Sequence, residues 1–327
     1  MRVSRDSADL ERYASDESRL AGRADEVAWP ASVEECASLL AEASRAGRPV
    51  TVSGAGTGVV GGRVPTGGLV LALDHLVGVL AIEAGDEHEN PRVRALAGTS
   101  LDTLRDEVRK QGFLYPPDPT EWGASVGGSI ATNASGSRTY RFGPTREWVR
   151  SLTLALPTGD ALVLERGQCV AREGRFTLER ANAAPLEIPA PAWHAPRTTK
   201  HVAGYYSARD MDLVDLFIGS EGTLGVIVEA ELGLVPYPEE ILSGLLFFDD
   251  ESRAFAFVDA ARDARGGSID PLCLEYFGPG ALSLLRKSGL ELPEGAETAI
   301  LFEQGKDEQA IASLREQKDE LRTRLGY

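Results

Sequence analysis

The sequence is poor in the residues that most often carry chemistry on their own. Its 327 residues include four histidines and three cysteines, Cys36, Cys169 and Cys273, with no C-x-x-C pair. Zinc ribbons and iron–sulfur clusters need closely spaced thiolates, so neither is expected. Three scattered thiols make a poor disulfide framework and point to a reducing, cytoplasmic setting. Long apolar runs are missing too. The most apolar stretch, residues 69–82, is interrupted by Asp74 and His75 and is too short to span a bilayer. Residues 1–26 are polar and charged and hold no apolar core of a secretory signal. Positive charge is in deficit, 34 Lys and Arg against 50 Asp and Glu, for a net charge of −16. Such a field repels polyanions, so nucleic acid is not an expected partner.

The four histidines offer no metal site. His75 and His88 read as structural or solvated, and His194 and His201 flank Arg197 and Lys200 with no third ligand in view.

Glycine, by contrast, is plentiful and clustered. The first cluster is Ser53-Gly54-Ala55-Gly56-Thr57-Gly58, extending to Gly68. The second runs from Gly123 through Ser125, Gly127, Gly128, Thr132 and Asn133 to Gly136. The third is Gly219-Ser220-Glu221-Gly222-Thr223-Leu224-Gly225-Val226-Ile227. Loops of small residues let backbone approach a ligand closely, and successive free N–H groups form an anion-binding concavity. A G-x-G-x-x-G spacing exists at Gly56, Gly58 and Gly61. A Rossmann site, however, requires a helix to begin at that loop. Gly62, Pro65, Gly67 and Gly68 oppose one.

At roughly 100–200 residues per domain, the length suggests two domains. Ser32 and Glu35 fit a capping box that opens a helix over residues 32–46. Strands are expected at 50–53, 69–73, 77–82 and 93–97, and a second helix at 101–111 with Ser100 as its cap. Residues 149–156 and 161–164 read as a hairpin about Pro157-Thr158-Gly159-Asp160. Residues 172–201, proline-rich with weak periodicity, read as a long surface connection. A short helix at 211–217 and a long strand at 226–235 follow. From 240 onward the expected order is strand, helix, strand, helix, strand and a last helix over 307–324.

Taken in order, the three clusters resemble the vanillyl-alcohol oxidase superfamily, in particular its D-lactate, glycolate and D-2-hydroxyglutarate dehydrogenase branch. The matching segments are Gly54 to Gly58, Pro117-Asp118-Pro119, Gly127-Gly128, Asn133-Ala134-Ser135-Gly136, Phe142-Gly143 and Gly219 to Ile227. The resemblance implies an α+β fold. Its parts are an N-terminal extension (1–23), a two-subdomain PCMH-type FAD-binding domain (24–238) and a partial α/β-plait, ferredoxin-like cap (239–327). It implies FAD held by Ser53, Gly54, Ala55, Gly56, Thr57, Gly58, Pro117, Asp118, Ser125, Gly127, Gly128, Thr132, Asn133, Gly136, Glu221 and Ile227. Covalent members carry a His or Cys in these loops. Neither residue is present there, so non-covalent binding is implied.

The implied function is oxidation of a small 2-hydroxy acid by hydride transfer to flavin, with electrons passed to an unidentified acceptor. The catalytic residue stays unassigned. The branch's base lies in an H-x-G-D-G-N-x-H segment that this sequence does not contain. Lys200, His201 and Tyr205 lie in a segment that resembles one near the flavin. Three explanations stay open: a fragment of a longer enzyme, a subunit completed by a partner or by a second copy, or a shortened cap for another substrate. The alternative function is a flavin-binding module without its own base. UDP-N-acetylenolpyruvoylglucosamine reductase shares the flavin fold, but Tyr140-Arg141-Phe142-Gly143 is a poor match to its Y-R-x-S motif.

Overall fold

The structure is a computed structural model and describes residues 2–86, 90–180, 183–196, 198, 200–267 and 269–306. It divides into two compact units. The first holds residues 1–134 and 144–235, the second 135–143 and 236–327.

In the first unit, strands Glu26–Trp29, Leu69–Ala72 and Val50–Ser53 lie parallel, with Leu69–Ala72 in the middle. That middle strand is buried at all four positions, as a parallel strand covered on both faces must be. The helix Val33–Arg45 crosses over between the first two strands in sequence. Its Ser32 hydroxyl caps the Glu35 N–H at 3.2 Å. The Glu35 carboxylate reaches the N–H of Ala31 at 2.9 Å, so the capping box closes one residue earlier than its usual form.

A five-stranded antiparallel sheet follows, ordered Val79–Glu83, Arg92–Leu96, Val226–Gly233, Val149–Ala155, Ala161–Glu165. Helices Val33–Arg45 and Val126–Ala131 pack on it. One apolar core, including Cys36, Leu71, Leu104, Ile130, Leu152 and Val228, joins both sheets and these helices. Burial in that core pushes the Cys36 thiol up to about 12.

Two segments depart from expectation. Residues 172–201 contain a hairpin, Arg175–Arg180 with Ala183–Pro189. An isolated hairpin is marginal in water; this one inserts Phe176, fully buried, into the common core. Pro185 and Pro189 weakened its strand signal, yet proline is tolerated on edge strands. Residues 2–23 are also integral to this unit. Arg2–Ser4 adds an antiparallel edge to the parallel sheet, and Tyr13, 1% exposed, stacks edge-on against Trp29 and accepts its indole N–H at 2.8 Å.

The second unit is a three-stranded antiparallel sheet in the order Glu240–Phe248, Thr298–Lys306, Pro271–Phe277. Phe248 and Ile300 pack under helix Glu251–Asp263, whereas Ala299 packs with Leu282 of helix Pro279–Lys287. Neighbouring residues of a strand point to opposite faces. These two helices therefore cover opposite faces of the sheet. Residues 135–143 belong to this unit through the ion pairs Arg138–Glu303 and Arg141–Asp270, both 2.8 Å. The helix expected over 307–324 lies outside the described residues.

Tyr13→Ala is expected to cost roughly 3–5 kcal/mol, the range for deleting a buried aromatic side chain. Tyr13→Phe, which removes the hydroxyl that accepts the Trp29 N–H, should cost about 1–3 kcal/mol. Urea unfolding checks both; wild-type stability in Tyr13→Ala would show that residues 2–23 are not part of the fold.

Candidate functional site

The first glycine loop leaves the C-terminal end of strand Val50–Ser53, where Ser53 is fully buried beside Ala72. No helix begins between residues 54 and 68. Chain direction therefore turns on glycine, with Gly56 at φ +82°, a conformation other residues rarely adopt. None of the N–H groups of residues 54–58 donates a hydrogen bond to another described residue. A row of undonated N–H groups at the end of a parallel strand is what an anionic ligand needs.

The second loop spends its donors inside the protein. Ser125 caps the helix Val126–Ala131, its hydroxyl accepting from Gly128 at 3.2 Å. The N–H groups of Val126 and Gly127 go to Thr99 and Ala97 carbonyls, each at 2.8 Å. Asn133, 5% exposed and at φ +46°, accepts the Arg146 N–H at 2.9 Å.

The third loop closes on both of the others. Gly219 and Glu221 donate to Ile130 and Ala131 carbonyls at 3.0 and 2.9 Å. A β-carbon on Gly222 would stand 3.4 Å from Val52, and one on Gly62 would stand 3.5 Å from the Glu221 carboxylate. The first and second loops meet more tightly still: a β-carbon on Gly54 would stand 2.6 Å from the Ser125 hydroxyl. The three clusters thus form one surface. Val59 and Val60 stand beside it, 71% and 70% exposed, and an apolar ring system is the kind of ligand that would cover them.

The residues named from sequence occupy these positions. Ser53 ends its strand and Gly54 to Gly58 form the first loop, Ser125 and Thr132 cap the helix that holds Gly127 and Gly128, Asn133 follows it, Glu221 lies in the third loop, and Ile227, 6% exposed, lies at the start of the strand that leaves the third. Pro117 and Asp118 sit on a separate loop that Arg105 holds: its guanidinium pairs with Asp118 at 2.8 Å, donates to the Pro117 carbonyl at 2.9 Å and covers the Trp122 ring at 5.3 Å. Gly136 falls in the second unit, its N–H on the Thr139 hydroxyl at 2.9 Å. The Tyr205 hydroxyl meets that of Thr223 in the third loop at 2.7 Å. His201 Nδ1 is shielded and has no hydrogen-bond partner among the described residues. His194 and Lys200 are exposed, and His88 lies outside the described residues.

Sequence reasoning missed the ionic support of the third loop. Arg146 donates to the carbonyls of Asp215 and Ile218, each at 2.6 Å, pairs with the Asp215 carboxylate at 3.1 Å, and covers the Tyr206 ring at 4.1 Å. Arg166 binds the same carboxylate at 3.1 and 3.2 Å. Asp215 is 7% exposed, so two cations share one shielded anion on the helix that leads into Gly219. The only local signal was an acidic residue at an otherwise apolar face of helix Leu213–Phe217.

A family model for an FAD binding domain matches residues 24–165. The chain is 34% identical to a D-lactate dehydrogenase of Anaerostipes hadrus, over 76% of this chain and 44% of that protein. It is 32% identical to glycolate oxidase subunit GlcD of Bacillus subtilis, over 86% and 51%. It is 34% identical to a D-2-hydroxyglutarate dehydrogenase of Xanthomonas citri pv. viticola, over 78% and 47%. The chain spans about half the length of these relatives. An alkyldihydroxyacetonephosphate synthase structure superposes with a TM-score of 0.70 at 17% identity, over 98% of this chain and 57% of that one, which shows a shared fold. No described helix is long and apolar enough to cross a membrane.

Gly54→Val would drive its side chain into Ser125. Overpacking of about 1–3 kcal/mol, concentrated where two loops meet, is expected to weaken FAD binding about tenfold or more. Fluorescence titration with FAD checks it; a native dissociation constant would separate this contact from the site.

Proposed function

We propose that the chain, whose residues 24–165 match a family model for an FAD binding domain, binds FAD non-covalently in the three-loop surface and serves the oxidation of a small 2-hydroxy acid. The observation that carries the proposal is the convergence of three small-residue loops around one row of undonated N–H groups. The first loop takes the pyrophosphate on residues 54–58. Ser125, Gly127, Gly128, Thr132 and Asn133 fix the loop's shape from behind. Glu221 and Ile227 border the adenosine and flavin portions, with Pro117 and Asp118 as further contacts; Gly136, expected from the sequence, lies in the second unit. Tyr205, tethered to Thr223, stands on the same surface. Bound FAD supplies the acceptor for the hydride lost from the hydroxylated carbon; the loops supply orientation and exclude water from the ring they cover. With no His or Cys in the loops, acid precipitation should release the flavin into the supernatant.

The substrate class rests on the relatives, two of them named for D-lactate and D-2-hydroxyglutarate and one for glycolate. A second reading is that the chain is a flavin-binding subunit or fragment whose catalytic base comes from elsewhere. It is favoured by the missing H-x-G-D-G-N-x-H segment and by a relative that is named a subunit. We place the protein in the cytoplasm, where its three buried, unpaired cysteines would stay reduced.

One experiment separates the two readings. The FAD-loaded chain is mixed without air with D-lactate, glycolate and D-2-hydroxyglutarate while its visible spectrum is followed. Bleaching by one of them is expected if the chain is self-sufficient. A flavin spectrum that never bleaches would favour the subunit reading, and failure to take up any FAD would overturn both.

A further inference from the structure

Arg63 belongs to none of the glycine motifs, yet its side chain folds back against the first loop. Nε donates to the Ser15 carbonyl at 3.0 Å. Nη2 donates to the Ser15 and Arg12 carbonyls at 2.8 and 3.4 Å. Nη1 donates to the Ser53 hydroxyl at 3.1 Å and to the Gly54 carbonyl at 3.3 Å. All five N–H groups of a guanidinium are thereby engaged, and they join residues 12–15 to the start of the loop. Glu17 adds a bond from its N–H to the Gly56 carbonyl at 3.3 Å. A β-carbon on Gly56 would lie 2.3 Å from Arg63 Cζ. The guanidinium therefore occupies the space a side chain at 56 would need, so the glycine there makes room for Arg63.

The peptide geometry gives this clasp a direction. No peptide bond among the described residues is cis, and in a trans peptide the carbonyl and the following N–H point opposite ways. Holding the Gly54 carbonyl toward Arg63 turns the Ala55 N–H away from it. Holding the Gly56 carbonyl toward Glu17 does the same for the Thr57 N–H. Those are two of the undonated groups of the loop.

We infer that Arg63 is a positioning residue for the cofactor's diphosphate, clasping residues 12–17 to the first glycine loop so that the Ala55 and Thr57 N–H groups face outward before FAD arrives. This rests on the first loop being the diphosphate site. The clasp also gives residues 12–17 a part in the cofactor site that their sequence does not advertise. Asp16 stands at the same place, its Oδ2 shielded without a hydrogen-bond partner among the described residues and 3.8 Å from where a Gly58 β-carbon would be. Its negative charge offsets much of the guanidinium's field, so the role of Arg63 is geometric more than electrostatic.

The test compares native protein, Arg63→Ala and Arg63→Lys, titrated with FAD, ADP and riboflavin, the last of which lacks the diphosphate. Lysine keeps the charge but has three donors in place of five, so a geometric clasp predicts that both variants fail alike. The expected result is about a tenfold or greater loss of affinity for FAD and ADP, with riboflavin unchanged. If Arg63→Ala does not fold, the same ratio is read from Arg63→Lys. Native affinities in the variants, or an equal loss for all three ligands, would overturn the role assigned to Arg63. Full rescue by lysine would overturn the geometric account as well. Native protein that binds neither FAD nor ADP would instead remove the diphosphate site itself, and the inference with it.

Discussion

Everything at the site depends on how closely the first two glycine loops approach. Gly54 sits where a β-carbon would be 2.6 Å from the Ser125 hydroxyl, and that hydroxyl is already occupied in capping its helix. The same residue thus starts a helix, seats that helix under the five-stranded sheet and sets the position of the parallel sheet's loop. The third loop then closes the arrangement through main-chain bonds to Ile130 and Ala131. Small residues are required because three backbones meet where side chains would otherwise stand.

The loops differ in how they use their hydrogen-bonding capacity. The second and third bond inward and lock the frame, and the Arg146–Asp215–Arg166 network reinforces the third from below. The first bonds through carbonyls and a hydroxyl, and the N–H groups of residues 54–58 find no acceptor among the described residues. A rigid frame around unspent donors suits an anionic ligand such as the proposed diphosphate, because little reorganisation is left to oppose binding.

Much of this was legible in sequence because it is local. Ser32 and Ser100 announced their helices through hydroxyls that reach only three residues along the chain. The hairpin about Gly159 declared itself by its turn. The missing helix after Gly58 followed from Gly62, Pro65, Gly67 and Gly68. What stayed hidden was carried by long side chains acting across the chain. Arg63 reaches back 48 residues to Ser15, and Arg146 reaches 69 forward to Asp215. Neither leaves a periodic or spaced signature. Tyr13 and Phe176 were hidden for a related reason: each lies in a polar, irregular segment, and only the tertiary structure shows the cavity it fills.

The central claim is that three loops distant in sequence form a single cofactor surface. Hydrogen–deuterium exchange of the chain with and without FAD tests it most directly. Protection is expected to appear together in residues 54–58, 125–133 and 219–224, and to saturate at the same FAD concentration. Protection confined to one of the three segments, or centred elsewhere, would contradict it.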